Sequence, residues 1–161
     1  MNPIVVKFGG SSLATAAQFE KVAAIIRENP DRRYVVASAP GKRFDGDTKV
    51  TDLLYRCYDA ARAGQDFAPV LAEIRQRFTD IIRELHLSVD LEPDFAAIEM
   101  HLRREPQRDF MASRGEYLNS RLLAAYLGFR FVDAAQMILF RADGSFDAEA
   151  ANTAIGHTLV S

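Results

Sequence analysis

Apolar positions along the chain switch between two periods. Residues at about 3–8, ending Ile4-Val5-Val6-Lys7-Phe8, form a short, largely β-branched run, and a second run, Arg33-Tyr34-Val35-Val36-Ala37-Ser38, follows at about 33–38. Between them Phe19, Val22, Ala23 and Ile26 fall on one stripe of a helix over about 15–28, which Asn29-Pro30 stops. After a polar loop at 39–50, Thr51 reads as the N-cap of a helix over about 52–63 that Gly64 ends. Phe67, Val70, Leu71, Ile74, Phe78, Ile81, Ile82 and Leu85 repeat at three and four, which predicts a long amphipathic helix over about 67–86 with a core-facing stripe. Helices over about 93–104 and about 108–127 follow, the first between Pro93 and Pro106 and the second closed by Gly128. Phe129–Asp133 reads as a strand, Met137–Phe140 as a second extended piece, Asp143-Gly144 as a turn, and about 147–160 as a last helix.

Strands alternating with helices argue for an α/β fold with a mostly parallel sheet, and in such sheets ligands gather at the carboxyl ends of the strands. The pair Gly9-Gly10 ends the first strand and Ser38 ends the second, so both point to one crevice. The pattern predicts a three-layer α/β/α arrangement with Gly9-Gly10, Ser38 and Glu116 facing one cleft. The two glycines allow positive φ and leave their N–H groups bare. With Lys7 before them and hydroxyls at Ser11, Ser12 and Thr15 after them, they suit a phosphate. The plainer alternative is a strand, a turn and a capped helix, with Lys7 merely exposed at the surface.

A length of 161 residues suits about one domain, and 48% hydrophobic with 26% charged residues is an ordinary globular composition. The formal net charge of −2 gives no general attraction to nucleic acid or to an anionic membrane, and neither is an expected partner. No apolar run approaches the ~20 residues of a membrane span, and no basic-then-apolar leader opens the chain, so the expected location is the cytoplasm. The single cysteine, Cys57, has no disulfide partner within the chain and reads as a small buried hydrophobe. His86, His101 and His157 lack metal-ligand spacing and are assigned no chemistry.

Three further positions carry candidate chemistry. Ser38 and Thr51, at a strand end and a helix start, are short hydroxyls that can hold a carboxylate; the plainer reading of Thr51 is an N-cap, which is compatible with that role, and Thr48 rivals it. Gly115 in mid-helix costs ~1 kcal/mol relative to alanine, which implies a close approach there. Glu116 beside it can receive an ammonium group; alternatively it is a solvated carboxylate paired with Arg114 or Arg121.

Lys7-Phe8-Gly9-Gly10-Ser11, Ser38-Ala39-Pro40-Gly41-Lys42, Thr51-Asp52-Leu53-Leu54 and Ser113-Arg114-Gly115-Glu116, in this order and at these separations, resemble the N-terminal half of an aspartokinase, a member of the amino acid kinase family. The resemblance covers essentially the whole chain. It implies an ATP-dependent phosphotransferase that converts L-aspartate to 4-phospho-L-aspartate for lysine, threonine and methionine biosynthesis. It also implies Mg²⁺ bound through the nucleotide, and a homo-oligomer. It gives Lys7, Phe8, Gly9, Gly10 and Ser11 to the ATP phosphates, with Lys7 catalytic, and Ser38, Thr51 and Glu116 to the amino acid. No residue is assigned to a metal. Residues 1–161 are then the amino acid-binding part of the kinase domain, with the second glycine-rich segment, the adenine site and the regulatory domains expected outside them. Two alternatives remain: a non-catalytic fragment or binding module of this fold, and a related kinase whose acceptor is acetylglutamate, glutamate, carbamate or a nucleoside monophosphate. Thr-Asp-Leu-Leu together with Ser-Arg-Gly-Glu favours aspartate.

Overall fold

The computed structural model describes residues 2–159. They fall into two compact units, one running to Phe129 and the other beginning at Arg130. The first unit holds two strands, β1 (Ile4–Phe8) and β2 (Arg32–Ala37), and five helices, α1 (Ala16–Arg27), α2 (Val50–Arg62), α3 (Ala68–Glu84), α4 (Glu92–Arg104) and α5 (Arg108–Leu127). A 3₁₀ turn, Gly10–Leu13, follows β1 directly.

The strands pair in parallel, with Val6 opposite Val35 and Phe8 opposite Ala37. Side chains alternate across a strand, so these four share one face, and that face lies on the helical core, with Ala37 buried and the other three partly buried. Val5 and Val36 lie on the opposite face, exposed. The α/β class with a parallel sheet is as the sequence pattern predicts.

The core is built from the helical stripes that periodicity picks out. Phe19 and Val22 of α1, Leu53 and Leu54 of α2, Ile74 and Phe78 of α3, Phe95 and Ile98 of α4, and Met111, Leu118 and Leu122 of α5 are all essentially inaccessible. α2 packs against both α3 and α5, and the rings of Phe78 and Phe95 meet at 6.2 Å. Cys57 is wholly buried, and burial pushes its thiol up to about 12, as an inert core side chain requires. Thr15 caps α1, its hydroxyl accepting the Gln18 N–H at 3.4 Å. Gly128 closes α5 at φ 71°, the left-handed conformation that favours glycine.

Three local expectations are corrected. Thr51 is not an N-cap: α2 starts one residue earlier, at Val50, and Lys49 holds the cap position without a side-chain bond. Gly9 and Gly10 do not take positive φ. Gly9 is extended (φ −75°, ψ 168°), and Gly10 is needed for a close contact described below. Among the described residues, 129–133 form no strand.

In the second unit, Asp133 caps a 3₁₀ turn at Ala134–Gln136, and Phe140 bridges Phe146 across a turn at Asp143-Gly144. There the Asp143 carboxylate accepts from the Ser145 N–H at 2.9 Å. Helix α6 (Ala148–Leu159) follows; the predicted helix extends to position 160, which lies outside the described residues.

Gly115 and Gly156 make a direct comparison. A Cβ at Gly115 would sit 2.6 Å from the Ala39 Cβ, whereas a Cβ at Gly156 meets nothing within 4 Å. Alanine gains ~1 kcal/mol of helix propensity at either position, but overpacking costs ~1–3 kcal/mol. Gly115→Ala is therefore expected to lower the urea midpoint and Gly156→Ala to raise it. Two shifts of the same sign would refute the packing account.

Candidate functional site

The carboxyl ends of β1 and β2 touch through their backbones. The Gly41 N–H donates to the Gly10 carbonyl at 2.8 Å, and the Ser38 N–H donates to the Phe8 carbonyl at 3.0 Å. A Cβ on Gly10 would lie 2.8 Å from the Ala39 oxygen, and one on Gly41 would lie 2.7 Å from both the Gly10 carbonyl carbon and the Ser11 nitrogen. Only residues without side chains permit this approach. Behind it, Gly115 lets α5 come down on Ala39, which places Glu116 at the same strand ends.

The result is a cavity of about 450 Å³, within the usual range for small-molecule sites. Gly10 and Ser11 line it after β1, Ser38 and the Ala39–Lys42 segment after β2, and Lys49 and Thr51 at the start of α2. Glu116 of α5 completes it. The structure thus brings Gly10, Ser11, Ser38, Thr51 and Glu116 to one cavity. Lys7, Phe8 and Gly9 do not line the cavity but lie on the strand and cap that lead to it. Lys7 is exposed and in register with Val36, and Phe8 is half-buried. Thr48, the rival of Thr51, does not line the cavity; its carbonyl accepts from Arg77 instead.

Glu116 is not tied up in the ion pairs that periodicity allows. Arg121 pairs with Asp94 of α4, and Arg114 is flanked by the rings of Phe110 and Tyr117 at 4.6 and 4.5 Å. Glu116 is exposed into the cavity rim, so its charge is available to a ligand.

Four residues that matter here received no role from the sequence. Lys42 and Lys49 bring two positive charges to the cavity wall. Asn119, one turn beyond Glu116, is fully buried, and its Nδ2 donates to the Ser38 carbonyl at 2.7 Å. Arg77, on the core side of α3, is 3% exposed and donates to the carbonyls of Gly41 and Thr48, each at 2.6 Å. Only the Lys42 and Lys49 positions, flanking a loop between two matched motifs, carried a signal in the sequence.

The loop from Gly41 to Thr48 has its own internal clasp. Both Asp47 carboxylate oxygens accept from the Arg43 guanidinium, at 2.8 and 2.9 Å, and one of them also accepts the Arg43 N–H. The Arg43 bond holds the Asp47 carboxyl well below the usual carboxylate range and raises the guanidinium's own pKa. Burial lowers the pKa of Arg77, with the neighbouring Arg43 charge acting in the same direction. Asp47, 3.8 Å from Arg77, opposes that shift.

Comparison with known proteins gives a consistent picture. The model of the amino acid kinase family matches residues 2–158. Aspartokinase 3 of Bacillus subtilis is 41% identical over 137 residues, covering 81% of this chain and 30% of the relative. The aspartokinase of Chlamydia muridarum is 32% identical over 147 residues, covering 85% of this chain and 31% of the relative. The crystal structure of the Clostridium acetobutylicum aspartate kinase superposes with a TM-score of 0.96 at 41% identity, over 100% of this chain and 37% of that one. Aspartokinase III of Escherichia coli, solved with aspartate and ADP, shares the fold at a TM-score of 0.77 and 20% identity, over 99% of this chain and 38% of that one. The chain spans about a third of the length of these relatives.

The Asp47 clasp has a pH signature. Its folded pKa is depressed, so its stabilisation is fully present above the unfolded value of ~3.9 and is lost as pH falls below it. Urea midpoints of Asp47→Asn should lie below wild type at pH 6, and the gap should narrow between about pH 4 and pH 2, closing only below the depressed folded value. Curves that stay parallel through that window would remove the ion pair from the account.

Proposed function

The chain belongs to the amino acid kinase family, and we propose that it is the amino acid-binding part of a kinase domain that transfers the γ-phosphoryl group of ATP to the side-chain carboxylate of L-aspartate, giving 4-phospho-L-aspartate. The observation that carries this reading is the single cavity shared by Ser38, Thr51 and Glu116 with Gly10 and Ser11. The aspartokinase relatives, and the aspartate and ADP bound by the E. coli protein of the same fold, support the choice of substrates.

Each group has a task that its chemistry suits. The Glu116 carboxylate receives the substrate ammonium. The hydroxyls of Ser38 and Thr51 receive a carboxylate, helped by the N-terminal end of α2, whose dipole favours an anion. Thr51 is preferred to Thr48 because it lines the cavity. Lys42 and Lys49 balance the second negative charge of a dicarboxylate. The attacking carboxylate is already ionised near pH 7, since an unperturbed aspartate titrates at ~3.9, so no general base is required. Phosphoryl transfer then depends on alignment and on screening two anions from each other. Lys7, with the Phe8–Ser11 segment, supplies charge and backbone donors to the nucleotide phosphates. Mg²⁺, carried on those phosphates, would add further screening there. A cytoplasmic location, an assembly of identical copies and a place in lysine biosynthesis belong to the same reading.

The test is aspartate-dependent ADP release by the protein encoded by the full reading frame, with the acyl phosphate trapped by hydroxylamine. Glu116→Gln should raise the KM for aspartate ~10–100-fold with little change in kcat, because a charge-assisted bond of ~1.5–3 kcal/mol is lost in ground state and transition state alike. Lys7→Ala should lower kcat ~100-fold, because its charge counts most as the phosphoryl group moves. Wild-type kinetics in both variants would show that the roles are misassigned, and turnover with another acceptor but not aspartate would identify a different kinase of the family.

A further inference from the structure

We propose that Arg77 is a positioning residue for the amino acid site: its buried guanidinium pins both ends of the Gly41–Thr48 loop and thereby sets the affinity of the cavity for its acceptor. The proposal rests on the functional reading above. Arg77 does not line the cavity, so it touches neither substrate nor nucleotide there. It emerges from the apolar side of α3, between the buried residues Ile74 and Phe78, where a charge is expensive to keep. Two short bonds to main-chain carbonyls repay part of that cost, and they fall at the two ends of one loop.

Each gripped carbonyl immediately precedes a cavity lysine: Gly41 precedes Lys42 and Thr48 precedes Lys49. Gly41 is also the residue whose N–H closes on Gly10, and the Val50 N–H closes on the Pro40 carbonyl at 3.1 Å. The fork therefore holds the backbone that aims both lysines and starts the helix carrying Thr51. A planar guanidinium has donors to span two carbonyls in fixed directions, and an ammonium is a point charge that cannot reproduce that span.

Arg77→Lys in the full-length protein separates positioning from general stability. The KM for the acceptor should rise at least 10-fold, while the KM for ATP stays within twofold and kcat within threefold. Amide hydrogen exchange should speed up at Gly41, Asp47 and Val50 and stay unchanged in α1. An equal rise in both KM values, or unchanged exchange at the loop amides, would overturn the proposal. If Arg77→Lys does not fold, Arg77→Gln, which carries no charge and keeps a donor for one of the two carbonyls, decides the question. A threefold or greater rise in acceptor KM alone supports the proposal, and no rise overturns it. Wild-type protein that lacks aspartate-dependent turnover refutes the functional reading instead, and the exchange rates in Arg77→Lys then judge Arg77 alone.

Discussion

The site depends on one close contact, the backbone of Gly10 against the backbone of Gly41. A 2.8 Å hydrogen bond joins them, and neither position has room for a Cβ. Two strands of a parallel sheet separate at their carboxyl ends unless the following loops have a reason to stay together. Here the loops are drawn together just past the last ladder pair, Phe8 and Ala37. Gly115 extends the same constraint to a third element, letting α5 reach Ala39. Residues far apart in sequence therefore surround one cavity because three glycines remove the side chains that would hold their backbones apart.

Buried polar groups then fix what the glycines permit. Asn119 ties α5 to the Ser38 carbonyl, and Arg77 ties α3 to the loop after β2. Neither arrangement is optimal for stability. Among the described residues, the Asn119 Oδ1 and the Arg77 Nε are buried without a hydrogen-bond partner, and a buried polar atom left unpaired costs on the order of 1–3 kcal/mol. An apolar side chain at position 77 would avoid the desolvation cost. What it could not do is bond two carbonyls seven residues apart in the loop, so the charge specifies loop geometry at the expense of stability.

Much of the fold was legible in the sequence because its elements are strongly periodic. The stripe Phe19, Val22, Ala23 and Ile26 is the buried face of α1, and Ile74, Phe78 and Ile81 are buried on α3 as their spacing predicts. The expectation that something approaches Gly115 closely was also sound, and the neighbour is Ala39. Local rules failed where a tertiary contact decided the outcome. Thr51 has the composition of an N-cap, but the bond from the Val50 N–H to the Pro40 carbonyl starts the helix earlier. The glycine pair suggested positive φ, whereas Gly10 is there for contact. Arg77 was invisible because a charged residue beside an apolar stripe normally points to water, and only the carbonyls of Gly41 and Thr48 give it a reason to turn inward.

The distribution of charge around the cavity follows from the same division between rigid and adaptable parts. Lys42 and Lys49 are exposed side chains with long flexible stems, and ordering such a chain costs up to ~2 kcal/mol in rotamer entropy. Ordering their backbone as well would add ~1–2 kcal/mol per residue if the loop were free. The Arg43–Asp47 clasp and the Arg77 fork meet that backbone cost during folding, before any ligand arrives. Only the lysine stems remain to be ordered on binding. Glu116 needs less help, since α5 already fixes its backbone and its side chain is shorter. Under the proposed function, flexible cations on a held loop and an anion on a helix, lining one cavity, suit a small zwitterion with one extra carboxylate: the ammonium meets Glu116, and the lysines balance the carboxylate that the hydroxyls do not hold.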